Sequence, residues 1–354
     1  MSRQKPVYPD ELLIEICNLW FRDKMGPEMI RKTINEKTEY NINREGVYAL
    51  LKESRDRGFI RISPPEHNDL SWKLMAKYNG SIKVVSTGKA AVSEGLAAKA
   101  AELVIDRMKD LGDNAKSQYN KENIENEKIH LGIGAGETAR EVASEIATLY
   151  NTNSSLPNLE IHALTSGFQS DRAHLSPISW FSWFMKGSNE RVSFVGLFAP
   201  PMVPDLEMYY EIKKLPGVVE AYEKARDVQI VVTSLGNAMD SDEHWFPYVE
   251  KKKKNNLKKK YRWRGDVLYC PYSDDGPLPE VALDREAVTI FKIPELVKMA
   301  KSGKHMIVLV CGPSHTKEHR RKTQALRPLL ENENLRVWTH LIIDVETARE
   351  LLDS

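Results

Sequence analysis

The chain has 354 residues, 41% hydrophobic and 29% charged, with 51 Lys+Arg against 50 Asp+Glu. That suits at least two domains with ordinary cores and excludes a disordered polymer. No run approaches the roughly 18 apolar residues of a membrane helix, and the opening MSRQKPVYPDELL lacks the apolar core of a secretory signal, so a cytoplasmic chain with no membrane partner is expected. Cys17, Cys270 and Cys311 are widely spaced and odd in number, which argues against a disulfide scaffold and a CxxC metal knuckle. A net charge of +1 leaves nucleic-acid binding to be judged from local charge.

From Asp10 to Lys24 the residues Leu12, Leu13, Ile16, Cys17, Leu19 and Trp20 keep helical spacing, with Asp10 as the expected N-cap. A second helix is predicted from Gly26-Pro27, placing Met29, Ile30 and Ile34 inward. A third runs from about Asn43 to Arg57, with Val47, Leu50 and Leu51 on one face and Gly58 as its stop. Phe59 to Ile62 then alternates like a small strand before Pro64-Pro65, which would close a winged helix-turn-helix over residues 1–65. Residues 66–86 are weakly patterned and read as a linker. The remainder, 87–354, begins with an alanine-rich helix from Gly88 to Leu111 and then alternates amphipathic helices with buried-strand runs. Those runs are Ile129–Ile133, Val192–Phe198, Val228–Leu235, Met306–Val310 and Val337–Ile343, an α/β pattern. The spacing of Ala139, Val142, Ala143, Ile146 and Ala147 predicts a helix packed on the sheet.

The sharpest local signal is Gly132-Ile133-Gly134-Ala135-Gly136-Glu137-Thr138, a glycine-rich turn between a strand and that helix. Glycines allow close approach of the backbone to a ligand, and free N–H groups at a helix start favour an anion. A tight strand-to-helix turn explains the same residues, and Glu137 would repel a phosphate. The segment has neither the P-loop lysine nor the GxGxxG spacing. Gly236-Asn237, Gly265-Asp266-Val267 and Ser273-Asp274-Asp275-Gly276 fall at strand ends, where ligands gather in parallel sheets, although each by itself is also an ordinary turn. Lys317 follows the Met306–Val310 strand, with an ammonium that can serve a phosphate or simply be solvated. Lys251 to Lys260 contains seven lysines; its place between α/β elements favours a solvated loop over DNA contact. His162, His174, His244, His315 and His319 show no metal-ligand spacing, and no GxSxG nucleophile elbow is present. No catalytic residue, metal or cofactor is therefore expected.

In this order these features resemble the SorC type of bacterial sugar-responsive transcriptional regulator, related to the DeoR type. The similarity spans Leu12 to Ile62 and then roughly Thr87 to the end. It rests on the glycine turn, Gly265-Asp266-Val267 leading to Asp274-Asp275-Gly276, the stretch Gly312 to Lys317, and the closing Leu341-Ile342-Ile343-Asp344-Val345-Glu346-Thr347-Ala348 before a leucine pair. The resemblance implies a winged helix-turn-helix followed by a Rossmann-like sugar-phosphate-binding domain of the isomerase and deaminase kind. It also implies a homodimer or homotetramer, and a sugar, commonly phosphorylated, as effector. Carried over, the glycine turn, Thr138 and Lys317 would hold the phosphate, and Asp274 or Asp275 would meet sugar hydroxyls. Operator DNA would be read by helix three, with Asn43, Arg44, Glu45 and Tyr48 near base edges and Arg31, Lys32, Lys52 and Arg55 on phosphates. The alternative is a sugar-phosphate isomerase or deaminase-like enzyme with an accessory N-terminal domain, in which Asp274, Asp275 or His315 would move protons.

Overall fold

The computed structural model describes residues 8–60, 63–87, 92–118, 128–166, 170–185, 190–240, 251–279, 282, 285–315 and 320–353. The chain divides into two compact units, Met1–Ile62 and Ser63–Ser354.

In the smaller unit, α1 (Asp10–Cys17) runs into a π-helical turn (Asn18–Arg22), followed by α2 (Pro27–Lys37) and α3 (Arg44–Asp56). Leu13, Ile16, Ile30, Ile34, Val47 and Leu50 are buried together, because each helix carries its apolar residues three or four apart. The Asn35 amide closes the bend between α2 and α3, accepting from the Ile42 N–H (2.9 Å) and donating to the Ile42 carbonyl (3.0 Å). The end of α3 is a Schellman stop. Gly58 adopts φ +80°, its N–H bonds the Arg55 carbonyl and the Phe59 N–H bonds that of Ser54.

Three local expectations are corrected. The N-cap of α1 is Pro9, and Asp10 lies in the first turn with its carboxylate on Arg57. Met29 is exposed, because the stripe set by Ile30 and Ile34 turns it outward. Phe59 and Ile60 form a bend and not a strand, having no neighbouring strand to pair with among the described residues; Arg61 and Ile62 lie outside those residues.

The larger unit is built on a nine-stranded sheet. Its strands are β1 (Ser81–Val85), β2 (Lys128–Ile133), β3 (Asn158–Ala163), β4 (Val192–Val195), β6 (Ile230–Asn237), β7 (Gly265–Val267), β8 (Cys270–Tyr272), β10 (Met306–Cys311) and β11 (His340–Asp344); β5 (Met202–Val203) and β9 (Glu286–Ala287) make a separate two-stranded ladder. The main order is β1-β11-β10-β6-β2-β3-β4, all parallel, and β7 and β8 extend the end of β6 as an antiparallel hairpin. From β2 the chain winds outward through β3 to β4; from β6 it winds the other way through β10 to β11. The strand order therefore reverses between β2 and β6.

The linker expected over residues 66–86 is instead α4 (Asn68–Tyr78) and β1, both part of this unit. Their signal is weak because α4 buries only Leu70, Ser71, Leu74 and Tyr78, while β1 alternates Lys83 with Ile82 and Val84 at the sheet edge. The alanine-rich helix is α5 (Val92–Gln118) and the helix after the glycine turn is α6 (Glu137–Asn151). These two pack together over one sheet face against Ile129, Leu131, Ile133, Leu159 and Ile161, using small residues such as Ala97, Ala100, Ala101 and Ala143. Lys251–Lys260 is a helix, not the expected loop; Leu257, buried beside Trp263 and Ala238, anchors it.

One carboxyl on α6 departs from its ordinary behaviour. Burial pushes Glu141 up to about 7; Arg140 pulls it down, and Glu137 and Glu94 add to the rise. One of its oxygens is buried with no hydrogen-bond partner. The folded chain thus keeps a proton that the unfolded chain releases near 4.5, so this site loses stability as pH rises from about 4.5 through about 7. Glu141→Gln is expected to stabilise the protein above pH 7 by about 1 kcal/mol after solvent screening, with the gain vanishing below about pH 4.5. Urea unfolding of the two proteins across that range checks the sign.

Candidate functional site

At a reversal of strand order the connections from neighbouring parallel strands leave to opposite faces, and a crevice opens at their carboxyl ends. Here a cavity of about 270 Å³ lies there, lined by the residues after β2, the last half of β6, the tip of the β7–β8 hairpin and the loop after β10. The floor is set by glycines. A Cβ on Gly134 would lie 2.7 Å from Leu268 Cδ2 and 3.0 Å from Thr233 Oγ1. Gly136 holds φ +106° as the N-cap of α6 and makes no side-chain cap. The N-terminus of a four-turn helix therefore faces the cavity with its positive dipole end.

Gly236 and Asp266 face each other across the β6–β7 ladder. A Cβ on Gly236 would fall 1.8 Å from Asp266 Oδ1, so the missing side chain is the space the carboxylate occupies. Gly265 is equally constrained, since its Cβ would meet the Gly236 carbonyl at 2.4 Å. Beyond Val267 the hairpin turns through Leu268 (φ +49°) and Tyr269 (φ +63°). Both are bulky residues in the left-handed region, at a cost of the order of 1 kcal/mol or more each. Both line the cavity. The Tyr269 phenol is pushed well above its usual range by burial and by the charge of Asp266; it is a neutral donor at physiological pH.

Charge in the cavity is mixed. Glu137, Asp240 and Asp266 supply carboxylates, and Arg172 and Lys322 supply cations. The carboxylate of Glu137 is engaged by Arg140 Nε at 3.0 Å, and that guanidinium offsets its repulsion of an anion at the helix start; His174 Nε2 lies 3.8 Å away. Lys322 is buried and donates to the Leu235 carbonyl at 2.9 Å. Thr138 Oγ1 is 3.2 Å from His315 Nε2.

Of the residues singled out from the sequence, Gly136, Glu137, Thr138, Gly236, Asn237 and Asp266 line this cavity. Gly132 and Gly134 lie beneath it: Gly132 makes room for Leu164, and the Gly134 N–H is taken by the Val232 carbonyl. Asp274, Asp275 and Gly276 do not reach it. Asp274 accepts a forked hydrogen bond from Arg264 (3.0 and 2.8 Å), Asp275 pairs with Arg262, and Gly276 (φ +152°) turns the chain behind β8. The hairpin carries them away from the crevice because Asp266 already fills the position nearest β6. Lys317 lies outside the described residues. Sequence reasoning missed Thr165, Arg172, Ser234, Asp240, Tyr269 and Lys322. Thr165 follows β3, whose sequence NLEIHA alternates polar and apolar residues and so did signal a strand. Ser234 was findable, since it shares the strand face of Gly236 two residues away.

In the smaller unit, Arg44, Glu45, Tyr48, Lys52 and Arg55 are exposed along α3, and Lys32 is exposed on α2. Asn43 is the N-cap, its side chain accepting from the Gly46 N–H at 2.7 Å. Tyr48 meets Trp20 edge-on, Arg31 pairs with Glu28 (2.5 Å) and Arg55 with Asp56 (3.3 Å).

The family described as "Putative sugar-binding domain" matches residues 68–353. The chain belongs to this sugar-binding-domain family. Its match begins at α4, the segment first read as a linker, and so covers nearly all of the larger unit. Among solved structures, the full-length sorbitol operon regulator SorC from Klebsiella pneumoniae is similar over 98% of this chain and 100% of that one, at 15% identity and TM-score 0.59. A DeoR family transcriptional regulator from Listeria monocytogenes is similar over 80% of this chain and 98% of that one (20% identity, TM-score 0.56). A transcriptional regulator from Streptococcus pneumoniae TIGR4 is similar over 81% and 96% (13%, 0.58). At these identities the likeness is one of fold. No curated protein matches the chain.

Gly236→Ala is expected to cost about 1–3 kcal/mol, because the new methyl must displace the Asp266 carboxylate. Gly236→Ala combined with Asp266→Ala should recover part of that loss. A double-mutant cycle in urea checks the coupling between the two positions.

Proposed function

We propose that the chain is a DNA-binding transcriptional regulator whose operator affinity is set by a carbohydrate bound in the crevice between β2 and β6, most economically a phosphorylated sugar. The observation that carries this reading is the polar cavity at the reversal of strand order in a chain of the sugar-binding-domain family. An anionic group fits the open start of α6 together with Arg172 and Thr138. Sugar hydroxyls are matched by carboxylates and by the Tyr269 hydroxyl, because each hydroxyl both donates and accepts. Asp240 and Asp266 fill the acceptor role. These residues bind and orient; the reading assigns no catalytic step. The solved structures to which the chain is similar are transcriptional regulators, a sorbitol operon regulator among them, and they favour the same reading over an isomerase or deaminase.

For the small unit we propose that α3 enters the major groove with Arg44, Glu45 and Tyr48 toward base edges and Lys32, Lys52 and Arg55 toward phosphates. Asn43 serves the helix start, and Arg31 exchanges Glu28 for a phosphate. One copy reads a short site, so a homodimer or homotetramer would set two readers at a fixed spacing, and effector binding would alter that spacing.

The direct test measures binding of the full chain to the DNA upstream of its own gene, with and without a panel of sugars and sugar phosphates. Lys52→Ala should weaken binding and lower the salt slope by about one. Asp266→Asn should keep DNA affinity but lose the response to the effector. Turnover of the effector would favour the enzyme reading instead. Absence of any thermal stabilisation by the panel at about 100 times a micromolar dissociation constant would sink the sugar-effector reading.

A further inference from the structure

Outside the cavity, one group of ligand-type side chains converges among the described residues: His130, Glu160 and His162. In β2 and β3, Ile129, Leu131, Ile133, Leu159 and Ile161 pack under α5 and α6, so strand alternation sends these three to the opposite sheet face. Parallel pairing sets His130 beside Glu160, with His162 two residues further along β3. His130 Nδ1 is 3.0 Å from His162 Nε2, and Glu160 Oε1 lies 3.6 Å and 3.7 Å from those two nitrogens.

That triangle has the dimensions of a metal face. Bonds of about 2.0–2.1 Å in tetrahedral geometry place neighbouring ligand atoms about 3.3 Å apart. The triangle is also held from outside. Ser193 Oγ donates to Glu160 Oε2 at 2.8 Å and accepts from Lys128 Nζ at 3.0 Å, which leaves Oε1 for the histidines. The ammonium of Lys128 is thereby kept on the far oxygen. The backbone N–H of His130 donates to Gln229 Oε1 at 3.0 Å. His162 Nδ1 is buried without a hydrogen-bond partner, so the only ring nitrogen of His162 in polar contact is Nε2, which faces His130 Nδ1 and can present a lone pair to a shared ion. His162 is buried on this face beside His130.

We propose that His130, Glu160 and His162 bind a divalent transition metal of the zinc class, with water completing the coordination from the partly exposed side of His130. Two nitrogens and one carboxylate oxygen suit zinc better than calcium or magnesium, which require more oxygen ligands. The ion ties β2 to β3 on the face opposite α6.

The test uses the full chain, stripped with a chelator and titrated with Zn²⁺ alone in a non-coordinating buffer near neutral pH. The expected result is one ion per chain at micromolar affinity or better, with a rise in melting temperature. His130→Gln and Glu160→Gln, each checked for native circular dichroism, should weaken binding about 10-fold or more. X-ray absorption of the zinc-loaded unmodified chain should show two imidazole ligands and one carboxylate, which keeps the proposal decidable if a variant does not fold. No binding at tens of micromolar Zn²⁺, undiminished binding in both variants, or a thiolate-containing shell would each overturn it and leave a hydrogen-bonded histidine pair.

Discussion

The larger unit depends on one topological constraint, the reversal of strand order between β2 and β6. Every strand in that part of the sheet is parallel, so every crossover must return over one face or the other. Where the winding direction changes, no connection covers the strand ends. The chain leaves β2 through glycines that keep its backbone flat against β6, and the following helix begins with its dipole aimed into the gap. Burial of the small-residue face of α6 against α5 holds that helix start in place.

The antiparallel hairpin added to β6 converts a generic crevice into a specific one. It brings Asp266 into the hole left by Gly236 and turns Leu268 and Tyr269 toward the cavity through a backbone conformation that neither side chain favours. Strain of this kind persists only where surrounding contacts over-determine it, and it coincides here with the polar lining of the site. Glu137, an obstacle to anion binding when considered alone, is paired with Arg140. A mixed set of carboxylates and cations then faces a helix N-terminus, which suits a ligand carrying both hydroxyls and a negative group.

The opposite sheet face shows how one pair of strands serves two chemistries. Alternation buries Ile129, Leu131 and Ile161 under helices and at the same time collects His130, Glu160 and His162 on the other side. The same β2 that ends in the glycine turn therefore carries a ligand triangle midway along its length, fixed by the hydrogen bonds that define the strand register.

Much of the architecture was legible in the residue pattern, because helical and strand periodicities are local. The three helices of the small unit, the helix after the glycine turn and the strands β2, β6, β10 and β11 are all anticipated by the spacing of their apolar residues. Segments with few apolar residues were not: α4 and β1 read as a linker, and Leu257 is the one apolar residue in the sequence of the lysine helix. The site was half legible. Glycines and Thr138 announce themselves by their place after a strand, but Asp266 could be separated from Asp274 and Asp275 only by the hairpin that turns one inward and the others onto Arg264 and Arg262. Arg172, Asp240 and Lys322 enter from segments far apart in the chain, and His130 meets His162 only through parallel register. Local order follows from short-range sterics and hydrophobic spacing, whereas convergence of distant polar groups is decided by strand order and register, which no single segment encodes.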